Sequence, residues 1–179
     1  MLGTFGISIH KRGEMQNPRD RRLQADHEKI QKLIAESGGT LRLVRTAGTP
    51  PTNFVVEYHC PSLVKAGPQQ VTIRNIHQVE FNLSGNYPSS PPSVKFLTPV
   101  FNPHVFANNA VCLGALKDHW NVTMTLDIII LEIGELLQLN PRVLNPRSAA
   151  NPDANDWVQK NRAKIPLGTI SFKASQERT

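Results

Sequence analysis

The chain predicts an α+β domain: an N-terminal helix, a four-stranded antiparallel meander, a long ordered loop and then C-terminal helices. Three observations carry this. Residues 40–46, 53–60 and 71–83 (TLRLVRT, NFVVEYHC, VTIRNIHQVEFNL) show partial alternation rich in β-branched and aromatic residues. The breaks between them, AGTPPT and KAGPQQ, are turn chemistry, and strands joined by such short turns pair antiparallel because parallel partners need a long crossover. Leu126, Ile129, Ile130, Ile133, Leu136 and Leu137 fall on one stripe of a helix.

Each element has local signals. Asn17-Pro18 starts the first helix, Asn as cap and Pro in the first turn, with Asp20 beside them. Leu23, His27, Ile30 and Ile34 recur at three- and four-residue steps and predict its buried face; Gly38-Gly39 ends it. A fourth strand, Val94 to Leu97, follows the proline-rich YPSSPP. Residues 99–122 have no period, yet a stretch of that length holding Val111, Cys112, Leu113 and Trp120 predicts an ordered functional loop. Thr123 or Thr125 caps the apolar-striped helix, NPRVLNP is a loop, and residues 153–164 predict a last helical region. The organisation expected is an arm at 1–16, a domain at 17–164 and a tail at 165–179.

Composition narrows the function classes. At 179 residues with 39% hydrophobic residues and 14 prolines, the chain is one loop-rich domain with a real core. No apolar run of about 18 residues predicts a membrane span, and MLGTFGISIHKRGEMQ lacks the apolar core of a signal peptide. Two cysteines, Cys60 and Cys112, without a C-x-x-C pair argue against a disulfide scaffold and a zinc site, and predict a reducing, cytoplasmic compartment. No ligand set suggests a metal or cofactor. The net charge of +6 fits nucleic acid or an acidic protein partner. No aromatic residues interleave with the early basic cluster (Lys11, Arg12, Arg19, Arg21, Arg22, Lys29, Lys32), which argues against nucleic acid.

The stretch NPHVFANNAVCLG places Cys112 eight residues after His104 in a run of asparagines and turn formers. Such a cysteine is either buried filler or a nucleophile held at a surface. The neighbouring motifs bear on the choice. Tyr87-Pro88-Ser89-Ser90-Pro91-Pro92-Ser93-Val94-Lys95-Phe96, then Phe101-Asn102-Pro103-His104-Val105, Val111-Cys112-Leu113, Trp120 and the stripe from Leu126 to Leu137 come in that order. In this arrangement the chain resembles the ubiquitin-conjugating enzymes over roughly residues 18–164, with their Y-P-x-x-P-P-x-V-x-F, H-P-N and cysteine segments. The resemblance implies the UBC fold and implies that Cys112 carries the C-terminus of a ubiquitin-like protein as a thioester. The modifier would come from an activating enzyme and pass to an amine on a protein target.

Three departures qualify what is implied. The tripeptide reads Asn102-Pro103-His104, so His104 stands where the family has its oxyanion-stabilising asparagine. A histidine there can donate to the oxyanion or accept a proton from the attacking amine. It can equally pin the loop through the backbone while Asn102, Asn108 or Asn109 supplies the donor. The stretch Asn140 to Asn145 has no counterpart of the family's lysine-orienting aspartate; Asp118 is the nearest substitute in sequence, or else a solvated loop carboxylate. Ser89 and Val122 replace the aromatic and proline with which relatives grip RING-type ligases, which argues against a conventional ligase.

Arg21, Arg22 and Lys29 of the first helix are the candidate contacts for the activating enzyme, or simply a solvated face. Cys60 reads as core and Trp120 as a support for the cysteine loop. Two other function classes remain. One is a catalytically inactive UBC-like or RWD-like binding module, against which the motif cysteine speaks. The other is a basic nucleic-acid binder. The departures together suggest a divergent branch, by analogy a bacterial ubiquitination-like pathway of the antiphage kind.

Overall fold

A computed structural model describes residues 17–68, 70–113 and 120–165. The expected arm at 1–16 and the tail beyond Ile165 lie outside the described residues. Helix α1 (Pro18–Glu36) begins as predicted: the Asn17 side chain accepts from Arg19 N–H, and Pro18 occupies the first turn. Its inward face is Leu23, Asp26, Ile30 and Leu33, not Leu23, His27, Ile30 and Ile34. His27 and Ile34 are half-buried at the edge of that face. The helix is rotated slightly because an acid, Asp26, has internal partners that no hydrophobic pattern registers.

Strands β1 (Leu41–Gly48), β2 (Pro51–Lys65), β3 (Val71–Asn82) and β4 (Ser93–Phe96) form one antiparallel sheet in chain order. Gly48 has φ +100 at the β1–β2 turn, and a Cβ there would meet the Pro50 carbonyl oxygen at 3.0 Å, so glycine is required on two counts. The second strand runs five residues past its predicted end at Cys60. Pro61, which has no N–H to donate, lies within that extension. The strand tolerates it because pairing with β1 has ended by Tyr58 and a register shift between His59 and Ser62 places Pro61 in a bulge.

Helix α2 (Leu126–Leu137) packs its apolar stripe on the sheet. Phe54, Val56, Tyr58 and Cys60 of β2, Val79 and Phe81 of β3, and Val94 and Phe96 of β4 meet Leu23 and Ile30 of α1 and Ile129, Ile130 and Ile133 of α2 in one core. The Tyr58 hydroxyl donates to the Ile130 carbonyl oxygen at 2.9 Å, satisfying its one polar atom inside that core. A second, smaller core of Leu63, Phe101, Leu139, Ala154, Val158 and Ile165 anchors helix α3 (Pro152–Lys160). A 3₁₀ turn at Arg162–Lys164 completes the helical region expected at 153–164.

The part of the unperiodic stretch from residue 99 to 113 is tied to the sheet it leaves. Val111 N–H donates to the Val94 carbonyl at 2.9 Å, and Phe96 N–H donates to the Asn109 carbonyl at 2.9 Å. Val105 bridges Val111 antiparallel, with Asn109 at φ +66 in the intervening turn. Residues 105–111 are therefore a small hairpin on the edge of the meander, and Cys112 follows its last residue.

Candidate active site

The eight-residue spacing between His104 and Cys112 has a geometric cause. Cys112 N–H donates to the His104 carbonyl oxygen at 2.7 Å, so the two residues close the base of the hairpin. The thiol is free and half-buried. Cys60 is also free, but it is 1% exposed in the main core and burial pushes its thiol up to about 12, leaving it inert as a nucleophile.

Asn102-Pro103-His104 is fastened on three sides. The wholly buried Asn102 amide donates to the Leu136 carbonyl at 2.8 Å at the end of α2, and its Oδ1 accepts from His104 N–H at 2.9 Å. The Pro103 carbonyl accepts from Asn151 N–H at 2.9 Å at the start of α3. Both ends of the Asn102 amide are thus engaged in holding the turn. The His104 ring is 3% exposed, and its Nε2 accepts from Asn145 N–H at 2.9 Å. Burial lowers the His104 pKa, so the ring is neutral near pH 7. With Nε2 accepting, the neutral ring carries its proton on Nδ1.

His104, Cys112, Met124, Glu132 and Ile133 share the walls of a cavity of about 230 Å³ with Arg142, Val143, Leu144 and Asn145. It brings the cysteine, a neutral histidine, a carboxylate and a guanidinium to one place. Glu132 and Arg142 were not picked out by sequence reasoning; the only signal for Glu132 is its position on the flank of the α2 stripe, next to Ile133. Asp118 lies outside the described residues. Among the described residues no group of three or more His, Cys, Asp or Glu could hold a metal ion. No helix among them is long and apolar enough to cross a membrane.

The three basic residues of α1 separate into two kinds. Arg21 and Lys29 are exposed. Arg22 instead turns inward: its Nε donates to Asp26 Oδ2 at 2.8 Å, Nη2 donates to the Tyr87 hydroxyl at 3.1 Å, and the guanidinium also donates to the carbonyls of Val122 and Met124. Its side chain is 18% exposed, so the expectation of Arg22 as a surface contact is corrected: an acid on the next turn draws it into the fold. Trp120 Nε1 donates to the Pro88 carbonyl at 3.0 Å, fastening the Tyr-Pro loop to the segment that returns from the cysteine. Ser89 and Val122 are exposed.

Two buried histidines make stability depend on pH. Burial lowers the pKa of His77, against a smaller upward pull from its bond to the Arg74 carbonyl, and burial lowers that of His104. In the unfolded chain both titrate near about 6.5. The unfolded state therefore takes up protons first as pH falls. Stability is full above about pH 6.5 and is lost below it, by up to about 1.4 kcal/mol per histidine per pH unit until each folded pKa is reached. Urea midpoints at pH 7.5 and 5.5 with an unchanged m-value should show this drop; equal midpoints would contradict it.

Comparison with known proteins agrees with this arrangement. The ubiquitin-conjugating enzyme family model matches residues 63–166. The Nedd8-conjugating enzyme UbcE2M of Drosophila melanogaster is 30% identical over 169 residues, covering 92% of this chain and 87% of that protein. Ubiquitin-conjugating enzyme E2 1 of Caenorhabditis elegans is 30% identical over 149 residues, covering 83% of this chain and 70% of that protein. A crystal structure described as a candidate ubiquitin conjugating enzyme from Plasmodium yoelii shares the fold with a TM-score of 0.61 at 20% identity, over 85% of this chain and 90% of that one. These relatives are eukaryotic and lend no support to a bacterial antiphage pathway. A hairpin-held cysteine in a cavity shared with α2, the Tyr-Pro and tryptophan motifs, and these matches lead to one conclusion: the chain belongs to the ubiquitin-conjugating enzyme family.

Proposed function

We propose that this enzyme accepts the C-terminus of a ubiquitin-like protein as a thioester on Cys112 and transfers it to an amine of a protein target. The observation that carries the reading is the shared cavity: a free, accessible thiol beside a neutral histidine whose tautomer is set by Asn145. Loading is thiol exchange: Cys112 sulfur attacks the carbonyl carbon held by the activating enzyme, and that enzyme's sulfur leaves. In transfer, the amine nitrogen attacks the same carbon, the C–S bond breaks, and the Cys112 sulfur departs as thiolate. The amine's attack develops an oxyanion, and His104 Nδ1–H is the donor for it. It does not act as the base, because Nε2 is engaged by Asn145 and Nδ1 holds the proton. Asn102 positions the turn.

Exposed Arg21 and Lys29 form the basic face offered to the activating enzyme. The exposed Ser89 and Val122 give a ligase neither an aromatic nor a proline to grip, which favours direct transfer or an unconventional recruiter. Two unpaired cysteines suit a reducing, cytoplasmic setting. The test is loading with ubiquitin and its activating enzyme, and in parallel with Nedd8 and its own, followed on non-reducing gels. An ATP-dependent, thiol-sensitive adduct with one of them is expected; no adduct with either, while both activating enzymes charge a control, would count against the reading.

A further inference from the structure

We infer that Ser90 is a phosphorylation site whose phosphate is captured by the Arg19 guanidinium, bracing the Tyr-Pro loop against α1. The site is independent of Cys112. Ser90 closes a turn that starts at Asn86, where its N–H donates to the Asn86 carbonyl at 3.0 Å. It precedes Pro91 in a segment that belongs to no helix or strand. The residue is half-buried and lines an open cleft of about 620 Å³ between the Tyr-Pro loop and the start of α1. Among the described residues lining this cleft, the charged ones are Arg19 and Arg22; Asp20, in the same turn of α1, does not line it.

The two arginines differ. Arg22 is consumed by Asp26, Tyr87 and two backbone carbonyls. Arg19 Nη2 donates to the Ser84 carbonyl at 3.0 Å, which fixes the side chain against the loop. Its Nε is screened from water and has no acceptor among the described residues. A buried donor left unmade costs free energy, and a well-placed acceptor recovers it. The cleft therefore holds a cation with spare donors, and Ser90 shares its walls.

A serine followed by proline is the acceptor that proline-directed kinases take. Ser90 Oγ bonds to the γ-phosphorus of ATP, the bond from that phosphorus to the bridging oxygen breaks, and ADP leaves. The hydroxyl proton passes to the kinase's catalytic aspartate. The product carries about −1.5 to −2 charges at pH 7 and three acceptor oxygens. A guanidinium presents parallel donors that match such a group. The pair adds a second link between α1 and the Tyr-Pro loop, three residues along the helix from the one through Arg22 and Tyr87. Ser89 also lines the cleft but is followed by serine; Thr49 and Thr98 precede prolines but do not line it.

The experiment treats the full chain with a cyclin-dependent kinase and MgATP and maps the modified peptide by mass spectrometry. The phosphate is then titrated by phosphorus NMR in wild type and Arg19→Gln. One phosphate on Ser90 is expected. Its second ionisation, near about 6 for a free phosphoserine, should fall to about 5 in wild type and return to about 6 in Arg19→Gln. Modified wild type should melt about 2–4 °C above the unmodified protein, and modified Arg19→Gln should show no such gain. Absence of phosphate on Ser90 while a control peptide is fully modified, or its placement on Ser89, Thr49 or Thr98 instead, would overturn the assignment. So would a second ionisation at about 6 or above in wild type, or an equal gain in melting temperature in both proteins. The wild-type titration decides the capture even where Arg19→Gln fails to fold.

Discussion

Replacing Asp26 with alanine is expected to lower the stability of the domain by about 3–5 kcal/mol, the range for breaking a buried ion pair by removing one partner. Against a typical total of about 5–15 kcal/mol this leaves a marginal fold. Asp26 is 0% exposed, and three donors converge on its carboxylate: Arg22 Nε at 2.8 Å, the Tyr87 hydroxyl, and Leu126 N–H at 3.3 Å. Burial pushes the Tyr87 pKa up and its bond to Asp26 pushes it further, so the phenol remains the donor. The Arg22 guanidinium also stacks over the Tyr87 ring at 5.3 Å. Alanine leaves the guanidinium and two further donors without their acceptor in a site that water does not readily reach.

The conservative Asp26→Asn keeps the volume and one carbonyl oxygen and should cost less, about 1–3 kcal/mol. Urea unfolding of both variants, with Arg22→Ala and the double variant to close the cycle, measures this directly. Additive effects of Arg22→Ala and Asp26→Ala would contradict the network. Its position links stability to function. It ties α1 to the Tyr-Pro loop and to residues 122–126, the segment through which the chain passes from Trp120 into α2.

Replacing His104 with alanine should slow discharge to amines by about 10²- to 10³-fold, the usual effect of removing one oxyanion donor, while loading falls only a few-fold. Thiol exchange is the less demanding step because a thiolate attacks with no proton to move. Alanine also deprives Asn145 N–H of its acceptor and frees the loop that borders the cavity. His104→Gln separates the two effects, since its amide offers both an acceptor for Asn145 and a donor for the oxyanion. It should recover part of the discharge rate. Equal losses in loading and discharge for both variants would remove the oxyanion role and leave His104 as a loop anchor.

Much of the fold was legible because its signals are local: the Asn17-Pro18 start, the glycine stop after α1, and the stripe of α2. The places where reading the residues fell short involve partners distant in sequence. Asp26 looks like a surface acid until Tyr87 and Leu126 are brought to it, and Arg22 looks like a surface cation for the same reason. The extension of β2 past its expected end at Cys60 depends on pairing with β3 and on a bulge around Pro61. At the site, the motif cysteine and the exchanged Asn102-Pro103-His104 order were visible. Which nitrogen of His104 is occupied was not, because Asn145 lies 41 residues on. Glu132 escaped notice because nothing local joins the flank of the α2 stripe to the cysteine loop with which it shares a cavity.

In the function proposed above, everything turns on Cys112 being the sulfur that carries the modifier. The most direct measurement is loading of wild type, Cys112→Ser and Cys60→Ser, with the adduct located by peptide mass mapping. A thiol-sensitive adduct is expected on wild type and Cys60→Ser, and either a thiol-resistant oxyester or none on Cys112→Ser. A thiol-sensitive adduct that persists in Cys112→Ser and disappears in Cys60→Ser would contradict it.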